Sequence, residues 1–170
     1  MKLIKIIILL LISFNTSFKV ISANYLQDIF KENGKLIFIR HALAPGSGDP
    51  KGFELSNCAS QRNLSIEGIG QSKRIGQFFI KNNIIIGKVL SSEWCRCKQT
   101  AELAFNNYET KSFLNSFFSQ DFSHNKDGQI KEFKKYIKKW NGKNNLIFVT
   151  HYVVISEILN ISVSSGEIVI

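Results

Sequence analysis

Arg40 and His41 come directly after a short apolar run, residues 36–39, and just before a loop that holds Pro45 and Gly46. Four apolar residues in a row are typical of a buried β-strand, and such a strand does not need two adjacent side chains that can be cationic at its end. Arginine presents a planar fork of donors that fits phosphate oxygens, and histidine can act as a nucleophile or a donor near neutral pH. The pair is either incidental, at a surface, or it marks a strand that delivers these two side chains to an anion, and the rest of the sequence has to distinguish the two.

Two further apolar runs end on polar residues. The second run is followed by the serine pair 91–92, with Arg96 about one helical turn further along, and the third run is followed by Thr150 and His151. Taken singly, Arg96 is typical of a helix surface and His151 of a satisfied buried histidine. Taken together, three strand ends that carry two arginines and two histidines indicate a single anion site.

The elements that position these residues follow from hydrophobic periodicity and from cap and turn residues. Strands alternate with helices, which predicts an α/β fold with a mainly parallel sheet. Ligands bind outside the carboxyl ends of parallel strands, so the three strand ends should meet at one mouth. Strands are predicted at 36–39, 84–90, 146–149 and 167–170, helices at 25–33, 65–81, 91–104, 130–140 and 153–159, and a long loop at 42–63, with 106–128 unassigned.

Composition and charge limit the classes of protein to which this chain can belong. The chain has 170 residues, of which 44% are hydrophobic and 21% charged, as in a single globular domain with one sizeable core. Its formal net charge of +9 suits an anionic substrate or surface. A nucleic-acid binder would need basic and aromatic residues clustered on one surface, and only the predicted helix 130–140 offers them. We interpret the charge run of that helix as a solvated face.

The N-terminal segment has the layout of a secretory signal peptide. Two lysines precede the apolar run 6–12, and small residues follow as far as Ala23. The run is short for a bilayer span, and an uncleaved amphipathic anchor is the alternative. Removing residues 1–23 would take away three lysines and no acid, which leaves a formal charge of +6. We therefore predict a mature domain, residues 24–170, that is periplasmic or secreted and has no stable membrane span.

The three cysteines fit an oxidising compartment. Cys95 and Cys97 are too close in sequence to pair easily with each other, so one disulfide would join Cys58 to either of them. A metal site is the alternative reading of three cysteines. It has little support here, because the sequence has no CxxC spacing and no histidine near these residues.

Four stretches of the sequence, in this order along the chain, match motifs of one known family. They are RHA at 40–42, RNLSIEGIGQ at 62–71, SSEWCRCKQTA at 91–101 and the strand end VTH at 149–151. They resemble the Arg-His-Gly motif, the R-P-L-T-x-x-G-x-x-Q segment, the S-S-x-x-x-R-x-x-Q-T-A block and the last histidine of the histidine phosphatase superfamily, the phosphoglycerate-mutase-like proteins. The resemblance extends over nearly all of the predicted mature chain.

Two departures refine the resemblance. Ala42 replaces the glycine of the first motif, and Tyr152 stands where many members have glycine. The branch with phytases and acid phosphatases has an aspartate at the position of Tyr152, so this chain is similar to the compact first branch, related to phosphohistidine phosphatases. The resemblance implies a three-layer sandwich, with a mainly parallel central sheet and helices on both faces.

The resemblance also implies a chemistry. His41 would attack phosphorus and form a phosphohistidine, which water hydrolyses, and neighbouring cations that lower its pKa would keep it neutral for attack. Arg40, Arg96 and His151 would bind the phosphoryl oxygens. Arg62 is a further candidate for a substrate contact, with a plain salt bridge as the alternative. No metal or cofactor is implied.

A general acid for the leaving group is not evident from the motifs. Many family members use a glutamate in the region after the Q-T-A block, where this sequence offers Asp121. Asp49, in the loop after the nucleophile, is the first candidate because a loop could place it over the pocket. Glu102 is expected to face a structural partner. A good leaving group would need no acid at all.

The sequence thus predicts an exported, metal-independent phosphatase of phosphomonoesters. Its substrate would be a small phosphorylated molecule or a phosphorylated component of the cell envelope. A phosphate-binding module of the same fold without catalysis is the first alternative. A mutase is another, although a signal peptide and the lack of a large lid insertion argue against it.

Overall fold

The computed structural model describes residues 32–170, which form a five-stranded sheet with five α-helices. The strands are β1 (Leu36–Arg40), β2 (Lys88–Ser91), β3 (Glu109–Thr110), β4 (Leu146–Thr150) and β5 (Ile168–Val169). The helices are α1 (Ile66–Lys81), α2 (Cys95–Phe105), α3 (Gln120–Ser123), α4 (Lys126–Lys138) and α5 (Tyr152–Leu159). The predicted signal peptide, 1–23, and most of the predicted helix 25–33 lie outside the described residues.

The sheet has the strand order β3-β2-β4-β1-β5. β1 to β4 run parallel, and β5 adds an antiparallel edge beside β1. β4 lies between β1 and β2, with Thr150 opposite Arg40 and Val149 opposite Ser91. The carboxyl ends of the three longer strands therefore meet at one edge of the sheet, as predicted.

Helices cover both faces of the sheet, because successive side chains of a strand point to opposite sides. On one face Ile37 and Ile147 pack with side chains of α1 and α2. On the other face Phe38 and Phe148 stack at 4.9 Å between ring centroids and pack with side chains of α4 and α5. The predicted three-layer arrangement is confirmed.

β2 begins later than the predicted strand 84–90. Its first residue, Lys88, is paired with Leu146, the first residue of β4. Just before that pair, the backbone oxygen of Asn145 accepts hydrogen bonds from the N–H groups of Gly87 and Lys88. The register of β4 therefore leaves residues 84–87 without a strand to pair with among the described residues.

Other boundaries differ by smaller amounts. α2 begins at Cys95 rather than at residue 91, because the N–H of Ser92 still donates to Val149 across the sheet. The unassigned region 106–128 contains β3, a 3₁₀ turn and α3. α4 starts and ends earlier than the predicted helix 130–140, and β5 is shorter than the predicted strand 167–170.

The long loop predicted at 42–63 is present and is attached to α2 by a disulfide between Cys58 and Cys95. This pairing confirms the prediction that Cys58 pairs with one of the two neighbouring cysteines. Cys97 is a free thiol in the core. None of the helices within residues 32–170 combines the length and apolar character that crossing a bilayer requires.

Candidate active site

His41 and His151 lie side by side at the carboxyl ends of β1 and β4. These strands are adjacent and in register, and the N–H of His41 donates to the carbonyl oxygen of Thr150 at 2.9 Å. The two imidazole centroids are 5.4 Å apart, and each residue is only 2% exposed. The sheet thus places two histidines that are distant in sequence within one buried pair.

The guanidinium of Arg96 contacts both histidines. Its Nε–H donates to Nε2 of His41 at 3.3 Å, and one of its Nη atoms lies 3.5 Å from Nδ1 of His151. Thr100 holds α2 against the loop after β1, since its hydroxyl accepts from the N–H of Ala42 and donates to the carbonyl oxygen of Arg96. The threonine of the Q-T-A block therefore positions Arg96 relative to the nucleophile candidate.

The hydrogen bonds of His41 define its tautomer. Nδ1 lies 2.8 Å from the carbonyl oxygen of Ala42, an acceptor, so we assign the hydrogen to Nδ1 and the lone pair to Nε2. Burial, followed by the positive charge of Arg96, lowers the pKa of His41 to about 3. His41 is therefore neutral near pH 7, with a nucleophilic lone pair on Nε2.

His151 is held by a chain of hydrogen bonds that the sequence motifs do not reveal. Its Nε2 lies 2.9 Å from the hydroxyl of Ser92, which in turn donates to the side-chain oxygen of Asn115 at 3.1 Å. Because Arg96 approaches Nδ1 as a donor, we assign the hydrogen to Nε2. Burial and then Arg96 lower the pKa of His151 well below its usual value. Asn115 belongs to the unassigned region 106–128, where no periodic pattern marked it.

Arg40 has one donor without a hydrogen-bond partner within residues 32–170. Its Nη1 donates to the carbonyl oxygen of Val163 at 2.7 Å, and its guanidinium carbon lies 5.2 Å from the ring centroid of Tyr152. Its Nε is buried and has no hydrogen-bond partner among the described residues. Buried polar atoms are nearly always paired, so this donor is suited to an oxygen of a ligand.

Asp49 forms a buried ion pair with Arg96. Its carboxylate oxygens lie 2.8 and 3.1 Å from Nη1 of Arg96, and they also accept from the N–H of Arg62 and the indole of Trp94. Burial alone would raise the pKa of this carboxyl, but the hydrogen bonds from Arg96 and Arg62 lower it below its usual value. In this arrangement Asp49 is ionised and carries no proton. The expected general-acid role of Asp49 is therefore at odds with its surroundings.

Arg62 closes the loop that carries Asp49. Its Nε donates to the carbonyl oxygen of Gly48 at 2.7 Å, and its Nη1 donates to that of Ala44. These bonds, with the backbone bond to Asp49, give Arg62 a positioning role in the loop. A direct substrate contact by Arg62 stays a prediction.

All the predicted site residues line one cavity of about 330 Å³. They are Arg40, His41, Asp49, Arg62, Arg96 and His151, and Asp121 lines the same cavity. Five aromatic side chains also line it: Phe53, Trp94, Phe118, Phe122 and Tyr152. Glu102 lies instead at a surface hollow beside the disulfide. Within residues 32–170, no group of three or more His, Cys, Asp or Glu side chains is arranged to hold a metal ion.

Comparison with known proteins identifies the fold through structure rather than sequence. The sequence matches no family model and no curated protein. The α-ribazole phosphatase from Shigella flexneri is 15% identical, with a TM-score of 0.57 over 78% of this chain and 87% of that one. A phosphoserine phosphatase mutant from Entamoeba histolytica, solved with phosphoserine, is 16% identical, with a TM-score of 0.55 over 78% and 87%.

A third similar structure is that of the protein histidine phosphatase SixA complexed with tungstate. It is 15% identical, with a TM-score of 0.54 over 78% of this chain and 84% of that one. Identities this low define a shared fold. The predicted α/β fold with a mainly parallel sheet is confirmed, and these neighbours, each named as a phosphatase, share that fold.

Proposed function

We propose that this protein is a phosphatase that hydrolyses phosphomonoesters through a phosphohistidine intermediate on His41. The observation that carries the proposal is a buried, neutral imidazole with its lone pair on Nε2, held beside Arg40 and Arg96 in one cavity. Proteins with the same fold include several named as phosphatases, which supports this class of reaction.

The nucleophilic step follows from the tautomer of His41. The Nε2 lone pair forms the N–P bond while the P–O bond to the leaving group breaks in line with it, and the electron pair departs with the ester oxygen. The hydrogen on Nδ1 stays bonded to the carbonyl oxygen of Ala42, which stabilises the positive charge that develops on the ring. Water then attacks phosphorus, the N–P bond breaks, and phosphate leaves with His41 neutral again.

Three side chains bind the phosphoryl group in this proposal. Arg96 donates to His41 in the free site, so the phosphoryl oxygens take over that donor when the substrate enters. Arg40 supplies its Nε–H, which no group in the described part of the chain accepts. A bound dianion raises the pKa of a nearby imidazole, so His151 can gain a proton on Nδ1 and donate it to a phosphoryl oxygen. Donors fixed in place stabilise the charge that shifts during transfer.

Asp121 is the proton donor that we propose for the leaving group. It lines the cavity from the first turn of α3 and is exposed, whereas the carboxylate of Asp49 is bound by Arg96, Arg62 and Trp94. A carboxyl group at a cavity mouth can exchange protons with solvent and supply one to an ester oxygen.

Export is part of the proposal. The basic and apolar segments of residues 1–23 support a secretory signal, and the disulfide between Cys58 and Cys95 supports an oxidising compartment. The substrate is then a small phosphorylated molecule or a phosphorylated component of the envelope, in the periplasm or outside the cell.

Hydrolysis of p-nitrophenyl phosphate in the presence of EDTA tests the proposal. We expect turnover by the wild-type protein and by His124→Ala, a control at an exposed histidine, and none by His41→Ala with a wild-type circular dichroism spectrum. A brief acid-free quench should also trap an acid-labile phosphoryl adduct on His41. Phosphate binding without turnover would favour the non-catalytic phosphate-binding module. Absence of both turnover and phosphate binding would refute the site assignment.

A further inference from the structure

An exposed aromatic pair lies at the phosphoryl end of the cavity. Phe118 is 49% exposed and Tyr152 is 37% exposed, and both line the cavity. Their rings meet edge to face with centroids 5.7 Å apart. Large aromatic side chains that face a cavity and remain accessible are suited to cover an apolar part of a ligand.

The position of Tyr152 relates this pair to the reacting atoms. Tyr152 follows His151 directly, at the first residue of α5, and the Arg40 guanidinium lies over its ring at 5.2 Å. The same guanidinium is the proposed ligand of the phosphoryl oxygens. A group bound against Tyr152 and Phe118 is therefore next to the phosphoryl group itself.

This proximity favours one class of leaving group. In an aryl phosphate only the ester oxygen separates the ring from phosphorus, whereas in a nucleotide a sugar lies between phosphate and base. The ring of an aryl phosphate can thus reach the aromatic pair while the phosphoryl group lies beside Arg40 and His41.

The acid–base groups of the site also favour an aryl leaving group. The carboxylate of Asp49 is occupied by hydrogen bonds from Arg96, Arg62 and Trp94, and Asp121 is the other carboxyl that lines the cavity. A phenol has a pKa of about 10, so a phenolate leaves with little help from an acid. An aliphatic alkoxide is far more basic and depends strongly on a proton donor.

We propose that Phe118 and Tyr152 form a binding site for an aromatic leaving group, and that the substrates of this protein are aryl phosphomonoesters. This inference rests on the proposed phosphatase function and narrows it to a substrate class. Phe118 and Tyr152 contact the leaving group and determine specificity, while the chemistry stays with His41.

Calorimetric binding of two phosphonates to the full chain tests the inference without turnover. Benzylphosphonate carries a methylene in place of the ester oxygen of an aryl phosphate, and methylphosphonate carries the phosphonate group without a ring. We expect the wild-type protein to bind benzylphosphonate about tenfold more tightly than methylphosphonate. In Phe118→Ala this ratio should fall to about twofold or less, with methylphosphonate affinity unchanged.

Two variants serve as controls. Phe118→Tyr keeps an aromatic ring and should keep the wild-type ratio, as should Ile80→Ala, which shortens an exposed apolar side chain that does not line the cavity. Equal affinities of the wild-type protein for the two ligands, or an equal loss of both in Phe118→Ala, would overturn the aromatic site and leave the phosphatase proposal standing. Failure of the wild-type protein to bind either ligand would overturn both.

Discussion

At the scale of single residues, the two buried histidines link this site to pH. The pKa of His41 is lowered to about 3 by burial and then by Arg96, and the pKa of His151 is lowered well below its usual value by the same causes. In the unfolded chain each imidazole binds a proton near pH 6.5. Below that pH the unfolded state therefore binds protons that the folded state does not.

We expect the free energy of unfolding to decrease as the pH falls below about 6.5, by up to about 1.4 kcal/mol per pH unit for each buried histidine. The stability from neutral His41 is complete above the pKa of the unfolded state and is lost progressively as the pH falls toward that of the folded state. Urea unfolding across this range should show a shallower slope for His41→Asn, which lacks one such group. A wild-type slope in His41→Asn would contradict this prediction.

Asp49 and Asp121, the two aspartates that line the cavity, differ in their surroundings. Asp49 is paired with Arg96 inside the site, and Asp121 is exposed at the same cavity. Their side chains differ little in chemistry, so their roles are decided by what each one contacts.

We expect Asp49→Asn to bind inorganic phosphate several-fold more tightly, because Arg96 is then no longer neutralised by a carboxylate. Breaking this buried pair should also lower the free energy of unfolding by about 3–5 kcal/mol. Asp121→Asn is the matched variant. Its inhibition by inorganic phosphate should equal that of the wild-type protein. Its kcat should fall about 10²-fold on alkyl phosphates and less on aryl phosphates. If Asp49→Asn shows that leaving-group pattern instead, Asp49 is the general acid after all.

At the scale of elements, the first turn of α1 supports the loop that follows His41. The hydroxyl of Ser65 caps the helix by accepting from the N–H of Gly68 at 3.1 Å, and the N–H of Ser65 donates to the carbonyl oxygen of Leu43. Gly68 packs so closely on Leu43 that a Cβ atom would overlap its carbonyl oxygen. Helix and loop therefore fix each other.

Gly68→Ala should therefore destabilise the fold by about 1–3 kcal/mol, since the backbone must move to admit the methyl group. The displaced loop should also lower kcat through His41. Gly128→Ala is the matched control, because its Cβ in α4 meets no atom within 4 Å, and it should stabilise the helix by up to about 1 kcal/mol. Urea unfolding and steady-state kinetics of both variants check this, and equal behaviour of the two would argue against a close contact at Gly68.

The disulfide also connects two elements of the site. It joins the loop that carries Asp49 and Arg62 to the start of α2, which carries Arg96. Its ends are separated by 37 residues in the sequence. Cross-links that close loops of this size restrict the unfolded chain strongly.

Reduction with dithiothreitol should lower the free energy of unfolding of the wild-type protein by about 3–4 kcal/mol. Activity should fall as well, because the loop that holds Asp49 loses its attachment to α2. The double variant Cys58→Ser, Cys95→Ser should resemble the reduced wild type and should not respond to dithiothreitol. A response to dithiothreitol in that variant would place the redox effect at Cys97 instead.

At the scale of the whole molecule, the net positive charge bears on the substrates that we expect, and the N-terminal segment bears on the compartment that we expect. Without residues 1–23 the chain keeps a formal charge of +6, which attracts anionic substrates at low ionic strength. The cationic site and the positive surface charge therefore act in the same direction.

Expression of the full chain in a bacterium with an intact export pathway tests the predicted cleavage. We expect periplasmic protein whose mass corresponds to a chain that begins at Asn24. Ala23→Phe should slow processing, because a small residue is required before the cleavage site. Recovery of the uncleaved wild-type chain in the membrane fraction would favour the amphipathic anchor.

Local patterns were sufficient to predict most of the elements and the main side chains of the site. The apolar runs before Arg40 and His151 predicted β1 and β4, and Ser65 with the periodic residues after it predicted α1. These signals are local, because strand burial, helix amphipathicity and caps depend on residues a few positions apart. The convergence of His41, Arg96 and His151 also followed, since parallel strands end at a common edge.

Only the tertiary structure determined which residues that are distant in sequence contact each other. Three features depend on contacts between separate elements: the pairing of Asp49 with Arg96, the hydrogen bond from Trp94 to Asp49, and the late start of β2. Asn115, which accepts a hydrogen bond from Ser92, and Phe118, which lies beside Tyr152, belong to the region 106–128, where no periodic pattern could predict these contacts. The sequence by itself determined which strand ends carry the candidate site residues, because those signals are local. Which carboxyl is paired with Arg96 and which rings line the cavity were decided by packing, because a side chain's pKa and exposure are properties of its neighbours in space.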